Sequence, residues 1–247
     1  GVMPKKKDIM QFQRVRRYAA GLVAINAADD ATGIGTALAA HGKKLDLDMV
    51  AYGRLSETGQ GVVCAAVLSN KPDTVGYASR DTVAAVFDAV LLERKAAEFA
   101  LNLVNEALSA ERLAWVLEQH GEALGLDLAG YSLLTGDNRE AVCEEILEGQ
   151  PYADEDAVQS AFEDAVEEEL EKQALAAINA ATAEKMGEVI IMYADVFGLD
   201  LEDYDALDGD GKDSVHAAMV DKDFQTGSAV KDAFDSAVED AQGAGGS

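Results

Sequence analysis

The sequence predicts an all-α protein: three tandem four-helix repeat modules joined by continuous connector helices into an elongated array. Three observations predict it. First, Leu126-Asp127-Leu128-x-x-Tyr131 recurs as Leu47-Asp48-Met49-x-x-Tyr52 and as Leu199-Asp200-Leu201-x-x-Tyr204, with the tyrosines 79 and 73 residues apart. Self-similarity at such a period is the mark of a repeated supersecondary unit. Second, apolar residues around each copy recur at helical spacing. Third, only three prolines occur in 247 residues, and two long stretches hold no helix breaker.

Residues 1–28 read as a basic lead-in helix. Its ending Ile25-Asn26-Ala27-Ala28 matches Ile178-Asn179-Ala180-Ala181, so it reads as the tail of a preceding connector. Modules are expected at 29–104, 105–178 and 179–242, followed by a flexible tail at 243–247. The first helix of each module carries an apolar column at i, i+3, i+4, i+7 and i+11, which places all five on one face. The columns are Ile34, Ala37, Leu38, His41, Leu45, then Leu113, Val116, Leu117, His120, Leu124, then Met186, Val189, Ile190, Tyr193, Phe197.

Gly125 and Gly198 stand where a left-handed helix stop is wanted. Asp46 holds that place in the first module, so its stop is expected to be less clean. Asp48, Asp127 and Asp200 are placed to cap a short second helix. That helix holds the repeated tyrosine, followed by Leu55, Leu134 or Leu207. Tyr52, Tyr131 and Tyr204 are expected to bury their rings and to direct their hydroxyls to backbone partners.

Polar turns are expected at 57–61, 135–138 and 208–213. A third helix then carries Val63-Cys64, Val142-Cys143 or Val215-His216. Caps at Asp81, Asp156 or Ser228 should open a fourth helix with Val83 and Phe87, Val158 and Phe162, or Val230 and Phe234. The fourth helix runs on without a breaker over 82–107 and over 157–181. The second stretch predicts roughly 37 Å of continuous helix.

The chain carries 46 acids against 20 bases, a net charge of −26. Residues 1–17 hold six bases and one acid, a net of +5, so the remainder is −31. A body this acidic repels a phosphate backbone, which argues against nucleic acid as partner. The basic opening segment is instead suited to dock on an acidic module or an anionic wall polymer. Two cysteines without close spacing imply neither a disulfide framework nor a zinc ribbon. No apolar run approaches the length of a membrane-spanning helix. The opening residues show no signal-peptide pattern.

His41 and His120 share a repeat position, as do Cys64 and Cys143, and each His precedes its Cys by 23 residues. These four are the candidate metal ligands. Two ligands per module are too few for zinc, and the third module has Tyr193 and His216 in their place. The residues therefore favour a core histidine beside a small buried thiol, and no metal or cofactor is expected. The acidic turn at 208–213 fails as a calcium loop, because Lys212 and Met219 fall on ligand positions. Gly211-Lys212 lacks the glycine spacing of a phosphate loop, and Gly33-Ile34-Gly35 lacks a preceding strand. Glu167, Glu168 and Glu169 read as a solvated helix face. No nucleophile–base arrangement stands out.

The pattern at 178–186 (Ile-Asn-Ala-Ala-Thr-Ala-Glu-x-Met), at 198–204, at 215–219 and at 229–238 resembles a helical repeat of large multidomain surface proteins of Gram-positive bacteria. Such repeats occur near S-layer homology or immunoglobulin-like modules. The resemblance covers most of the chain, best in the second and third modules, and departs from it at Asp46. It implies a spacer or adhesion role outside the cell wall and transfers no catalytic residues. The expectation is thus a non-enzymatic structural module of an extracellular or cell-surface protein. Its partners would be neighbouring modules or other surface proteins, without membrane insertion. A self-assembling filament or virion subunit is the alternative, as is a metal- or cofactor-binding protein using the His/Cys pairs.

Overall fold

Thirteen helices, and no strand, make up the residues described by the computed structural model, 6–244, with side chains from Arg16 onward. They are α1 (Lys6–Ala27), α2 (Ala31–His41), α3 (Met49–Arg54), α4 (Glu57–Ser69), α5 (Arg80–Glu106), α6 (Ala110–His120), α7 (Ala129–Leu133), α8 (Gly136–Glu148), α9 (Glu155–Ala180), α10 (Ala183–Phe197), α11 (Glu202–Ala206), α12 (Gly209–Met219) and α13 (Gly227–Ala244). The all-α class read from periodicity holds. The two breaker-free stretches are single helices, α5 of 27 residues and α9 of 26. The tail expected from 243 is still helical to Ala244, and 245–247 lie outside the described residues, as do 1–5 of the lead-in. No described helix is long and apolar enough to cross a membrane.

The chain divides into two compact units, residues 1–102 and 103–247. In the first, α1, α2, α4 and the start of α5 close around Ile25, Ile34, Leu38, Val63, Val67 and Phe87, all fully buried. In the second, α6 and α8 pack with α9 over Leu113, Leu117, Ile146 and Phe162, while α10, α12 and α13 enclose Ile190, Val215 and Phe234. Each buried Phe or Leu contributes about 2 kcal/mol. The predicted columns supply this core because their spacing keeps one helix face pointed inward.

Local chemistry explains where the helices stop. The amide of Leu126 donates to Gly121 O and that of Gly125 to Glu122 O, with Gly125 at φ +71°. Leu199 and Gly198 repeat the pattern on Ala194 and Asp195, with Gly198 at φ +64°. These are Schellman stops, in which a left-handed residue folds two amides back onto the last carbonyls. Asp46 adopts the same left-handed turn at φ +53°. Its stop is as complete as the glycine ones, contrary to expectation. The carboxylate accepts from Arg17 and from the Tyr18 hydroxyl, and its carbonyl accepts from Arg80 at 2.9 Å, which offsets the strain of a side chain there.

Several helix starts differ from the sequence reading. The polar segments at 57–61, 135–138 and 208–213 are not turns but first helical turns of α4, α8 and α12. Ser56 and Asp208 cap two of them, accepting from Gly59 N and Gly211 N. The fourth-helix caps lie two residues before those expected: Ser79, Asp154 and Thr226 accept from Thr82, Ala157 and Ala229. Asp48 caps α3 as expected. Asp127 and Asp200 sit one residue outside their helices, yet accept from Ala129 N and Glu202 N.

The asparagine near the end of α1, α5 and α9 forms a clamp. Asn26 donates to Tyr77 O and accepts from Tyr77 N; Asn105 does the same with Tyr152, and Asn179 with Phe224, all at 2.7–3.0 Å. One side-chain amide thus satisfies both backbone groups of a residue in the loop before the next helix. The Tyr77 and Tyr152 hydroxyls then donate to Val67 O and Ile146 O near the end of the preceding helix.

Candidate functional site

The short helices α3, α7 and α11 place Tyr52, Tyr131 and Tyr204 against the third helix of their own segment. All three rings are buried and tilted against Phe87, Phe162 and Phe234, with centroids 5.6–5.8 Å apart. Their hydroxyls were expected to find backbone partners and do not. They meet side chains twelve residues on: Cys64 Sγ at 3.2 Å, Cys143 Sγ at 3.4 Å and His216 Nε2 at 2.7 Å. A polar side chain from the facing helix thus satisfies each buried hydroxyl. Asp48, Asp127 and Asp200 serve the same helices by capping.

The residue eight beyond each tyrosine sits against the same short helix. Gln60 donates to Leu55 O at 3.1 Å and Arg139 to Leu134 O at 3.2 Å. The Arg139 guanidinium also stands 5.1 Å from the Tyr131 ring, and Lys212 Nζ 5.3 Å from that of Tyr204. Burial holds the Tyr52 and Tyr131 phenols well above the ordinary tyrosine range, reinforced by their bonds to Cys64 and Cys143. Burial likewise raises the Cys143 thiol, against a lowering by Tyr131. Phenol and thiol therefore stay protonated at neutral pH, so neither Tyr131 nor Cys143 is poised as base or nucleophile. Burial lowers the His216 imidazole, and its Nε2 shares a 2.7 Å hydrogen bond with the Tyr204 hydroxyl.

Of the four metal candidates, Cys64 and Cys143 are free thiols bound to tyrosine. His120 meets Trp115 edge-on, with centroids 5.6 Å apart, and His41 Nδ1 is buried without a hydrogen-bond partner. No group of three or more metal-ligating side chains gathers among the described residues.

Three connector residues were invisible in the sequence as contacts. Glu98 accepts from the Ser56 amide and hydroxyl. Gln173, at the equivalent place, accepts from the Thr135 amide and hydroxyl and donates to Leu133 O and to the Tyr193 hydroxyl. Each follows its buried phenylalanine by eleven residues, three helical turns on one face, which is the signal that marks them. Glu169 is only 7% exposed, so the acidic run at 167–169 is not wholly a solvated face. Burial raises its carboxyl, but bonds from Lys172 and Asn138 outweigh that and hold it below the ordinary range.

On the surface, Trp115 of α6 is 44% exposed. The Arg112 guanidinium stacks 4.3 Å from its ring centroid, which with His120 holds the indole in place. Beside it, α6 and α8 bound a cleft of about 270 Å³ lined by Glu111, Ala114, Arg139 and Glu140, with Cys143 at its base.

Comparison with known proteins adds one relative. No family model matches the chain, and no solved structure matches it. The chain is 32% identical over 156 residues to gellan lyase of a Bacillus species. The match spans 63% of this chain and 6% of the length of that enzyme. It corrects the expectation of a non-enzymatic spacer, because the protein that the chain resembles is an enzyme. Repeat signatures made of caps and core positions report helix packing and leave an enzyme's chemistry unmarked.

Proposed function

We propose that this chain is a helical region of a large polysaccharide-degrading enzyme related to gellan lyase, and that it engages the polysaccharide at the surface around Trp115. The observation that carries the reading is the 32% identity over 156 residues. Trp115 supports the site assignment. Sugar rings present flat faces of C–H bonds that pack on an exposed indole, and a ring already fixed by Arg112 loses little entropy on binding. The cleft beside it offers Glu111 and Glu140 as acceptors for sugar hydroxyls.

The three-module arrangement and an extracellular location belong to the same reading. The first is supported by the Asn clamp, the tyrosine pair and the Schellman stop, which recur three times in one order. The second is supported by the resemblance to Gram-positive surface repeats and by the size of the polymer, which is met outside the cell.

Affinity electrophoresis tests the binding. The chain should be retarded in gels containing gellan, and Trp115→Ala should abolish the retardation while leaving the helical circular dichroism intact. The full-length gene product should release unsaturated sugar ends from gellan, read as ultraviolet absorbance. A full-length protein inert toward gellan overturns the reading.

A further inference from the structure

Within the unit 103–247, an open groove of about 690 Å³ runs between α7, α9 and α10. Its floor is apolar: Leu133, Phe162, Val166 and Leu170, with Leu133 53% exposed. Its rim is acidic. Glu163, Glu167 and Glu171 follow one another at i, i+4 and i+8 along α9, and Asp127 and Asp195 close the other sides. No basic side chain lines it. The groove beside α3 and α5 in the other unit has a similar apolar floor, with Leu55, Leu92 and Ala96, but its rim is mixed: Arg54 and Lys95 beside Glu98. Of these two grooves, the larger carries the wholly acidic rim.

We propose that this groove docks a cationic amphipathic helix of a protein partner. An apolar trough of this kind receives the apolar stripe of a helix. The three glutamates on α9 extend roughly 12 Å along one edge, the length over which a helix presents bases at i, i+4 and i+8. Charge complementarity selects the partner: five carboxylates around an apolar floor repel an acidic segment and attract lysines and arginines. Neither Glu163 nor Glu167 is buried, so both are available to the partner.

The test uses the intact chain and a fluorescein-labelled amphipathic peptide of leucine and lysine in helical period, read by fluorescence anisotropy. Binding is expected, weakening as salt rises. Glu163→Lys with Glu167→Lys should weaken it roughly tenfold or more. Leu133→Ser, on the exposed floor, should weaken it without changing the salt dependence. Equal affinity for the double variant, or for a peptide with glutamate in place of lysine, overturns the proposal. A dimer of the peptide-free chain that the double variant dissociates gives the groove to a second copy and overturns it too.

Discussion

His216 separates the third tyrosine pair from the other two. Burial lowers its imidazole, with Lys212 adding to the effect and Asp213 opposing it. The unfolded chain therefore binds this proton at a higher pH than the folded one. The stability present with neutral imidazole falls as pH drops below the unfolded value of about 6.5, and the loss levels off below the folded value. Urea midpoints between about pH 8 and 5 should show the fall, and His216→Cys, which restores the partner used by Tyr52 and Tyr131, should remove it. An unchanged profile in that variant sinks the assignment. At Cys143 burial gives a different outcome: the thiol is enclosed and raised, so a disulfide reagent should modify it only once denaturant opens the core. Prompt reaction of the native protein would contradict this.

Helix ends and loop clamps set the stability of the elements. Gly198 lies at φ +64°, and a methyl group there meets no atom within 4 Å. Gly198→Ala therefore tests backbone strain alone and should cost about 1 kcal/mol. A neutral result in chemical denaturation would mean that the left-handed turn is not required. Asn179→Ala removes both bonds to Phe224 and leaves its backbone groups unpaired, a loss of about 2 kcal/mol. Hydrogen exchange at the Phe224 amide should accelerate more than at amides inside α12; parallel changes would argue against a local clamp. Asn26 and Asn179 were visible as a recurring Ile-Asn-Ala-Ala ending; Asn105 and all three partners were not. Tyr77, Tyr152 and Phe224 lie 45–51 residues away in loops of unequal length.

For the whole molecule, a net charge of −26 makes the folded chain repel itself. Monovalent salt raised to about 0.5 M shortens the screening length to a few ångströms and should raise the melting temperature by several degrees. A melting temperature that stays flat or falls would show that local ion pairs dominate over the net charge. Such pairs are present: Lys172 lies 2.7 Å from both Glu168 and Glu169. At this scale the sequence foretold the all-α class, both long helices and nearly all of the buried column. It misplaced the starts of the third and fourth helices, because Ser, Thr, Asp and Gly serve equally in turns and in first helical turns.

Helix class, the glycine helix stops and the inward faces were determined by the sequence alone, because they rest on neighbours within one or two turns: the 3.6-residue period, a capping oxygen, a residue tolerant of positive φ. Which side chain completes each tyrosine, why Glu169 is buried, how Gln173 ties α8 to α10, and where an acidic groove opens beside α9 were decided by tertiary structure. Those outcomes depend on residues brought together across tens of positions, and no local signal encodes the distance between two helix faces.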